Sequence, residues 1–407
     1  MAGAATPLFR PDHKSQITNH QSFLKSSLAL PTVYAITDRT ISGIDSHVEM
    51  ARRLFEVGVG LLQVREKEMA DRDLLAQVDE VARLARRKDA VLLVNDRVDV
   101  ALLSGAGVHL GEGDLPADAA RRILPEGSLI GISTHDFEAS RRAFLDPGVD
   151  YVAFGPVFES STKRGRPPRS LDELARVASI KTKPLVAVGG ITAEKLDAVL
   201  DAGADSAAMV GALLARGALE SNARRVLDLA RRREIAGRIY LVGFMGSGKT
   251  AVGRRIAKRL GRPFVDLDAE IERTSGKTVR AIFEADGEAA FRERESLFLE
   301  ATSSLPDAVV ATGGGCYIRE DNRRVISRLG SAVFLDVPLA RLLARLAEKT
   351  DRPLFQTPDQ AARLHAEREP FYRMGSLPVV LEGESLEEAA DHVLEALSIA
   401  SRRGPVL

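Results

Sequence analysis

Between residues 33 and 233, short stretches of consecutive apolar residues alternate with stretches whose apolar positions recur three and four apart. The apolar runs lie at 33–37, 61–64, 91–94, 108–110, 129–132, 151–154, 185–188 and 207–210. Helical spacing is clearest at 46–57, 71–87 and 138–145. A run that is apolar at every position fits a strand buried on both faces, as in parallel sheets covered by helices. Eight strand-and-helix units in about 200 residues predict a (β/α)8 barrel, with an open doubly wound sheet as the alternative. The count of eight favours the barrel, over residues 31–235. Beyond it the pattern changes. An apolar run at 238–242 leads into a glycine-rich loop at 243–248, a helical stretch at 251–260, and further runs at 264–268 and 309–312. These predict a second α/β domain with a parallel sheet at 236–407. Residues 1–30 carry a single acid, Asp12, and no sustained period, so a disordered extension is expected there.

Composition narrows the class of partner. Lys plus Arg and Asp plus Glu are 57 each, so no global basic field recruits nucleic acid or a membrane surface. The cluster Arg231-Arg232-Arg233 is expected on a solvated helix face. No apolar run reaches the length of a membrane span, about 18 residues. The lone Cys316 excludes an internal disulfide and fits a reducing cytoplasm, and a buried packing role is expected for it.

Residues 243–250 read GFMGSGKT, which meets the G-x-x-x-x-G-K-[ST] pattern between a strand and a helix. In that context the backbone of Gly246, Ser247, Gly248, Lys249, Thr250 and Ala251 wraps around phosphate at the positive end of the helix. Lys249 would reach the terminal phosphates and Thr250 would hold Mg²⁺. The run Phe264-Val-Asp266-Leu-Asp268 reads as a strand with two acids at alternate positions, so they are expected on opposite faces. One would then serve the metal and the other a substrate hydroxyl. Further along come Phe291-Arg292, Gly313-Gly314-Gly315, Asp351-Arg352-Pro353-Leu354 and Arg368-Glu-Pro-Phe-Tyr372. Three separated arginines suit a small anionic acceptor, because guanidinium binds carboxylate and phosphate through paired hydrogen bonds.

In that order the set resembles shikimate kinase over about 238–400. The resemblance implies ATP as co-substrate, Asp266 beside Thr250 at the metal, and Asp268, Arg292, Gly314 and Arg368 around shikimate. It also implies Arg352 over the ATP phosphates and Arg345 nearer the base. Asp268, Lys249 and Arg352 would then be catalytic.

The residues ending the barrel strands are the ones to read for chemistry. They include Gln63, Arg65 and Lys67, then Asn95 and Asp96, then Asp114. Beyond these come Ser133 with His135, the stretch from Ser160 to Lys163, Gly189-Gly190, and the turn after Val210. Two acids on adjacent strands suit Mg²⁺ completed by substrate phosphates, and Arg65, Lys67 and Lys163 suit a pyrophosphate. The segments VREK, LVNDR, GVHLG, GISTH, YVAFGPVF and VGGI resemble thiamine phosphate synthase over 33 to about 215. That resemblance implies coupling of a hydroxymethylpyrimidine diphosphate to a thiazole phosphate. It would place Mg²⁺ on Asp96 and Asp114, and the pyrimidine diphosphate on Gln63, Arg65, Lys67, Asn95, Ser133 and Lys163, with Lys163 catalytic. The thiazole phosphate would lie on Ser160, Ser161, Thr162, Gly190, Val210 and Gly211. The alternative is a thiazole tautomerase-like or non-catalytic regulatory barrel; in the tautomerase case His135 is the acid/base candidate. Both activities act on small molecules.

Overall fold

Eight parallel strands close into a barrel in chain order: β1 (Val33–Ile36), β2 (Leu61–Val64), β3 (Val91–Asn95), β4 (Gly107–Leu110), β5 (Ile130–Thr134), β6 (Tyr151–Phe154), β7 (Leu185–Val188) and β8 (Ser206–Met209). The ring is completed by pairing of β1 with β8, Tyr34 opposite Ala208. The closed ring excludes the open-sheet alternative. The computed structural model describes residues 28–159, 167–347 and 357–403. The extension expected at 1–30 lies outside these except for its last three residues, of which Leu30 is buried in the barrel interior.

Period two sorts each strand's residues between two cores. Tyr34, Ile36, Leu61, Leu93, Tyr151, Ala153 and Val186 fill the interior. Their neighbours Val33, Ala35, Leu62, Val64, Val94, Val152 and Ala187 pack outward against helices such as His47–Glu56 and Asp71–Arg87. Those helices bury one stripe each: Met50, Ala51, Leu54 and Phe55 on the first, Leu74, Val78, Val81 and Ala85 on the second.

The chain divides between Ala230 and Arg231 into two compact units. The second is a five-stranded parallel sheet in the order β10-β11-β9-β12-β13, formed by β9 (Arg238–Val242), β10 (Phe264–Asp266), β11 (Val309–Ala311), β12 (Gly330–Asp336) and β13 (Leu377–Val380). Its core gathers Ile239, Leu241, Val310, Val333 and Leu335 with Ile256 and Leu394 from covering helices.

Two expectations need correction. Asp266 and Asp268 are not alternate residues of one strand. The Asp266 carboxylate accepts the Ala269 N–H and caps the helix Leu267–Ser275, so β10 stops at Asp266 and Asp268 stands in the helix's first turn. Nor is Arg231 solvated: it is 3% exposed and lies 3.9 Å from the equally buried Asp391, which also pairs with Arg259 at 2.8 Å. The helix Leu219–Glu234 turns that residue toward an acid rather than toward water.

Candidate active sites

In the barrel, β3 delivers Asn95 and then Asp96, whose φ is 64° and whose N–H donates to His109 O at 2.9 Å. Asp114, in the loop after β4, folds back so that its Oδ2 accepts the Gly111 N–H at 2.6 Å. The two carboxyl groups are near enough to influence each other's ionisation. Burial first, and then Asp114, push Asp96 up to about 6, against the opposing charge of Lys67. Two carboxylates that cannot comfortably both be charged are a fit for a shared cation. Among the described residues no group of three or more His, Cys, Asp and Glu could hold a metal. A Mg²⁺ here would therefore take its remaining ligands from substrate and water, as that ion commonly does.

Below this rim runs a buried polar chain. Gln63 Nε2 donates to Tyr34 Oη at 2.6 Å, and Tyr34 Oη lies 3.1 Å from Tyr151 Oη. Tyr151 Oη is 2.7 Å from His109 Nδ1, and His109 Nε2 is 2.9 Å from Ser133 Oγ. With Gln63 donating first, each hydroxyl can pass its hydrogen onward to His109 Nδ1. His109 Nε2–H then donates to Ser133, turning the serine O–H outward as a donor and leaving Gln63 Oε1 as an acceptor. Burial pushes both phenols well above their ordinary value, so they remain neutral. Of these residues the sequence reading picked out Gln63 and Ser133 only. A signal for the others was present: Tyr34, His109 and Tyr151 are polar residues inside otherwise apolar runs.

On the opposite arc, Val157 N–H and Phe158 N–H donate to Val188 O at 2.9 Å and Gly189 O at 3.0 Å, extending the β6 and β7 pairing beyond the strands. This brings Gly190 against the 158–159 backbone with φ +63°, where a Cβ would lie 2.8 Å from Phe158 Cβ. Val210 caps the short helix Gly211–Leu214, and no atom lies within 4 Å of where a Gly211 side chain would begin. Arg65 lies 3.5 Å from Asp38, and Lys67 is exposed on the rim. His135 is buried with Nδ1 2.5 Å from Gly155 O. Ser160, Ser161, Thr162 and Lys163 lie outside the described residues.

In the second unit β9 runs into the phosphate-type loop, and Gly248 caps the helix Lys249–Leu260. Lys249 Nζ donates to Gly243 O at 2.8 Å and Phe244 O at 2.9 Å, curling over its own loop. Gly246, Ser247 and Ala251 belong to the same loop and first helical turn, and Arg345 donates to Gly246 O at 3.1 Å. The Thr250 hydroxyl donates to Asp266 Oδ2 at 2.6 Å, so the pair singled out for Mg²⁺ is adjacent. Arg352 lies outside the described residues.

The triple glycine following β11 is where the acceptor candidates meet. A Cβ on Gly313 would lie 2.7 Å from Asp268 Oδ1 and would overlap Glu295 Oε1, and one on Gly315 would overlap the Arg292 guanidinium. Gly314 O accepts from Arg368 at 3.4 Å and from the Tyr372 hydroxyl. Only bare backbone admits so close an approach of charged groups. Arg292, on the helix Val279–Ala301, pairs with Glu295 at 2.7 Å. Burial pushes the Glu295 carboxyl up to about 7; Arg292 opposes this and Asp268 adds to it. Glu295 was not singled out from sequence, although it follows Arg292 at helical spacing, and Tyr372 was named only as the end of the Arg368 segment.

The fold and these sites define a parallel barrel with a phosphate-ready rim, joined to a P-loop phosphotransferase-type domain. Thiamine monophosphate synthase is the family matching residues 33–213, and shikimate kinase the family matching residues 245–398. The thiamine-phosphate synthase of Methanoculleus marisnigri is 38% identical over 208 residues, which is 51% of this chain and 98% of that protein. The shikimate kinase of Ruegeria pomeroyi is 45% identical over 164 residues, 39% of this chain and 84% of that protein. A Synechococcus shikimate kinase is 47% identical over 174 residues, 42% of this chain and 91% of that protein. The chain belongs to both families, one in each half, and is a bifunctional enzyme. Among the described residues no helix is long and apolar enough to cross a membrane.

Proposed function

We propose that the C-terminal domain, residues 236–407, transfers the γ-phosphoryl group of ATP to shikimate. The barrel, residues 31–235, joins hydroxymethylpyrimidine diphosphate to thiazole phosphate, releasing pyrophosphate. The observation that carries the kinase reading is the convergence of Asp268, Arg292 and Arg368 on the triple glycine. The paired carboxyls of Asp96 and Asp114 carry the synthase reading, since a metal-free tautomerisation or a regulatory barrel has no use for them.

In the kinase, Arg292 and Arg368 hold the acceptor's carboxylate, and Asp268 orients the attacking hydroxyl and takes its proton. Lys249 and Arg352 neutralise charge on the transferring phosphoryl group, with Arg345 supporting the loop. In the barrel, Gln63, Asn95 and Ser133 hold the pyrimidine, while Arg65, Lys67 and the catalytic Lys163 neutralise the departing pyrophosphate. Backbone at Gly190, Val210 and Gly211, with Ser160, Ser161 and Thr162, holds the thiazole phosphate. Mg²⁺, held by Thr250 and Asp266 in one domain and by Asp96 and Asp114 in the other, supplies charge neutralisation of phosphate oxygens when bound. The buried Cys316 and the small-molecule substrates fit a cytoplasmic enzyme.

Assaying the full chain for both products tests the reading. Lys249→Met is expected to lower shikimate phosphorylation by about 10²-fold or more and leave thiamine phosphate formation unchanged. Asp96→Ala is expected to do the reverse. A wild-type chain making neither product would overturn both halves.

A further inference from the structure

The rim turn after β2 carries two of the cations assigned to the diphosphate, Arg65 and Lys67. Between them Glu66 points inward, its side chain only 7% exposed. Its Oε1 accepts the N–H groups of Lys67 at 2.7 Å and Glu68 at 2.8 Å. Its Oε2 accepts from Arg39 Nε at 2.6 Å and lies 3.0 Å from His47 Nε2. His47 is fully buried. Its Nδ1 lies 2.8 Å from Thr37 Oγ1, which also accepts the Arg65 N–H at 3.2 Å.

Donor counting settles the imidazole. The ionised Glu66 can only accept, so His47 Nε2–H donates to it, and Nδ1 of the neutral ring then accepts the Thr37 hydroxyl hydrogen. A neutral ring agrees with burial, which pulls the His47 value down. Burial alone would push Glu66 up, but Arg39, the Glu68 N–H and His47 outweigh it and hold the carboxyl well below the usual range. The base of the cluster is anchored as well: Thr37 N–H donates to Gln63 O at 2.9 Å and His47 N–H to Gln77 Oε1 at 2.7 Å.

We propose that Glu66, seated by His47 and Arg39, is a positioning residue that shapes the 65–68 turn so that Arg65 and Lys67 address one pyrophosphate together. The cluster grips this turn at three backbone N–H groups, those of Arg65, Lys67 and Glu68. Two long cations on a loose turn would each spend side-chain and backbone entropy to meet one leaving group; on a clamped turn that ordering is already done. The proposal rests on the synthase reading for the identity of the anion.

The test uses the full chain with Glu66→Gln, His47→Gln and His47→Leu. Glutamine at 66 keeps an acceptor for the turn's N–H groups but replaces the oxygen that faces Arg39 and His47 with a donor. Glutamine at 47 can still donate to Glu66; leucine cannot. Three quantities are measured: binding of Mg²⁺-pyrophosphate by calorimetry with the P-loop saturated by a non-hydrolysable ATP analogue, KM for each thiamine precursor, and shikimate kinase turnover as the control for folding.

Glu66→Gln and His47→Leu are each expected to weaken pyrophosphate binding and raise KM for the pyrimidine diphosphate by about tenfold, the usual weight of a hydrogen bond to a charged group. The KM for thiazole phosphate and the kinase rate stay unchanged, and His47→Gln recovers part of the loss. Unchanged pyrophosphate affinity in both variants, or an equal rise in both KM values, would overturn the proposal. A wild type that binds pyrophosphate through this turn but makes no thiamine phosphate would sink the synthase reading and leave the clamp standing. No pyrophosphate binding by the wild type would sink both.

Discussion

Glu295 is a carboxyl whose ionisation this fold resists. Its value rises from the ordinary 4.5 to about 7, chiefly through burial. The folded value lies above the unfolded one, so folding favours the protonated acid. That contribution is complete below about pH 4.5 and is lost as the pH rises through 7; between those limits it amounts to roughly 3 kcal/mol. The unfolding midpoint of the kinase half is therefore expected to decline as the pH rises from about 4.5 to about 7 and to level off above, followed by thermal melting with ATP and shikimate absent. Glu295→Gln should flatten that part of the profile. A variant retaining the wild-type slope would show that the pH sensitivity arises elsewhere. Arg292 gains from the same contact: burial lowers its value, but Glu295 and Glu288 together more than compensate.

At the scale of elements, Gly190 is the strand end proposed to seat the thiazole phosphate. Its φ of +63° costs a side-chain-bearing residue about 1–2 kcal/mol, and a methyl there would press on Phe158 and the Glu159 carbonyl. Gly190→Ala is expected to raise KM for thiazole phosphate severalfold with little change for the pyrimidine diphosphate, read from initial rates with each substrate varied in turn. Equal KM values for variant and wild type would remove Gly190 from that seat. The strands themselves were legible in sequence because parallel strands buried on both faces leave largely apolar runs, and β2, β6, β7 and β9 match theirs residue for residue. What was hidden depends on partners far apart in the chain. Asp268 was assigned to a strand because the capping of Ala269 by Asp266 is invisible to periodicity. Arg231 was assigned to solvent because Asp391 lies 160 residues away. Tyr34 and Tyr151 are 117 residues apart, and only closure of the barrel makes them neighbours.

For the whole molecule, two compact units with separate hydrophobic cores imply two unfolding transitions. An ATP analogue with shikimate is expected to raise one of them and Mg²⁺-pyrophosphate the other. Each shift should be worth about 2.7 kcal/mol at a hundredfold excess over Kd, measured by differential scanning calorimetry. One transition that moved with either ligand set would contradict independent cores. The two sheets also differ in what they offer to other unfolded or partly folded chains. A closed barrel has no unpaired edge, whereas the open sheet ends at β10 and β13, three and four residues long among the described residues. The second of these carries Pro378 opposite Phe334. Proline has no N–H to offer an incoming strand, and a short rim gives such a strand little to lengthen along. The kinase sheet is thus blunted where the barrel is sealed, and edge-to-edge aggregation finds little purchase on either half of the chain.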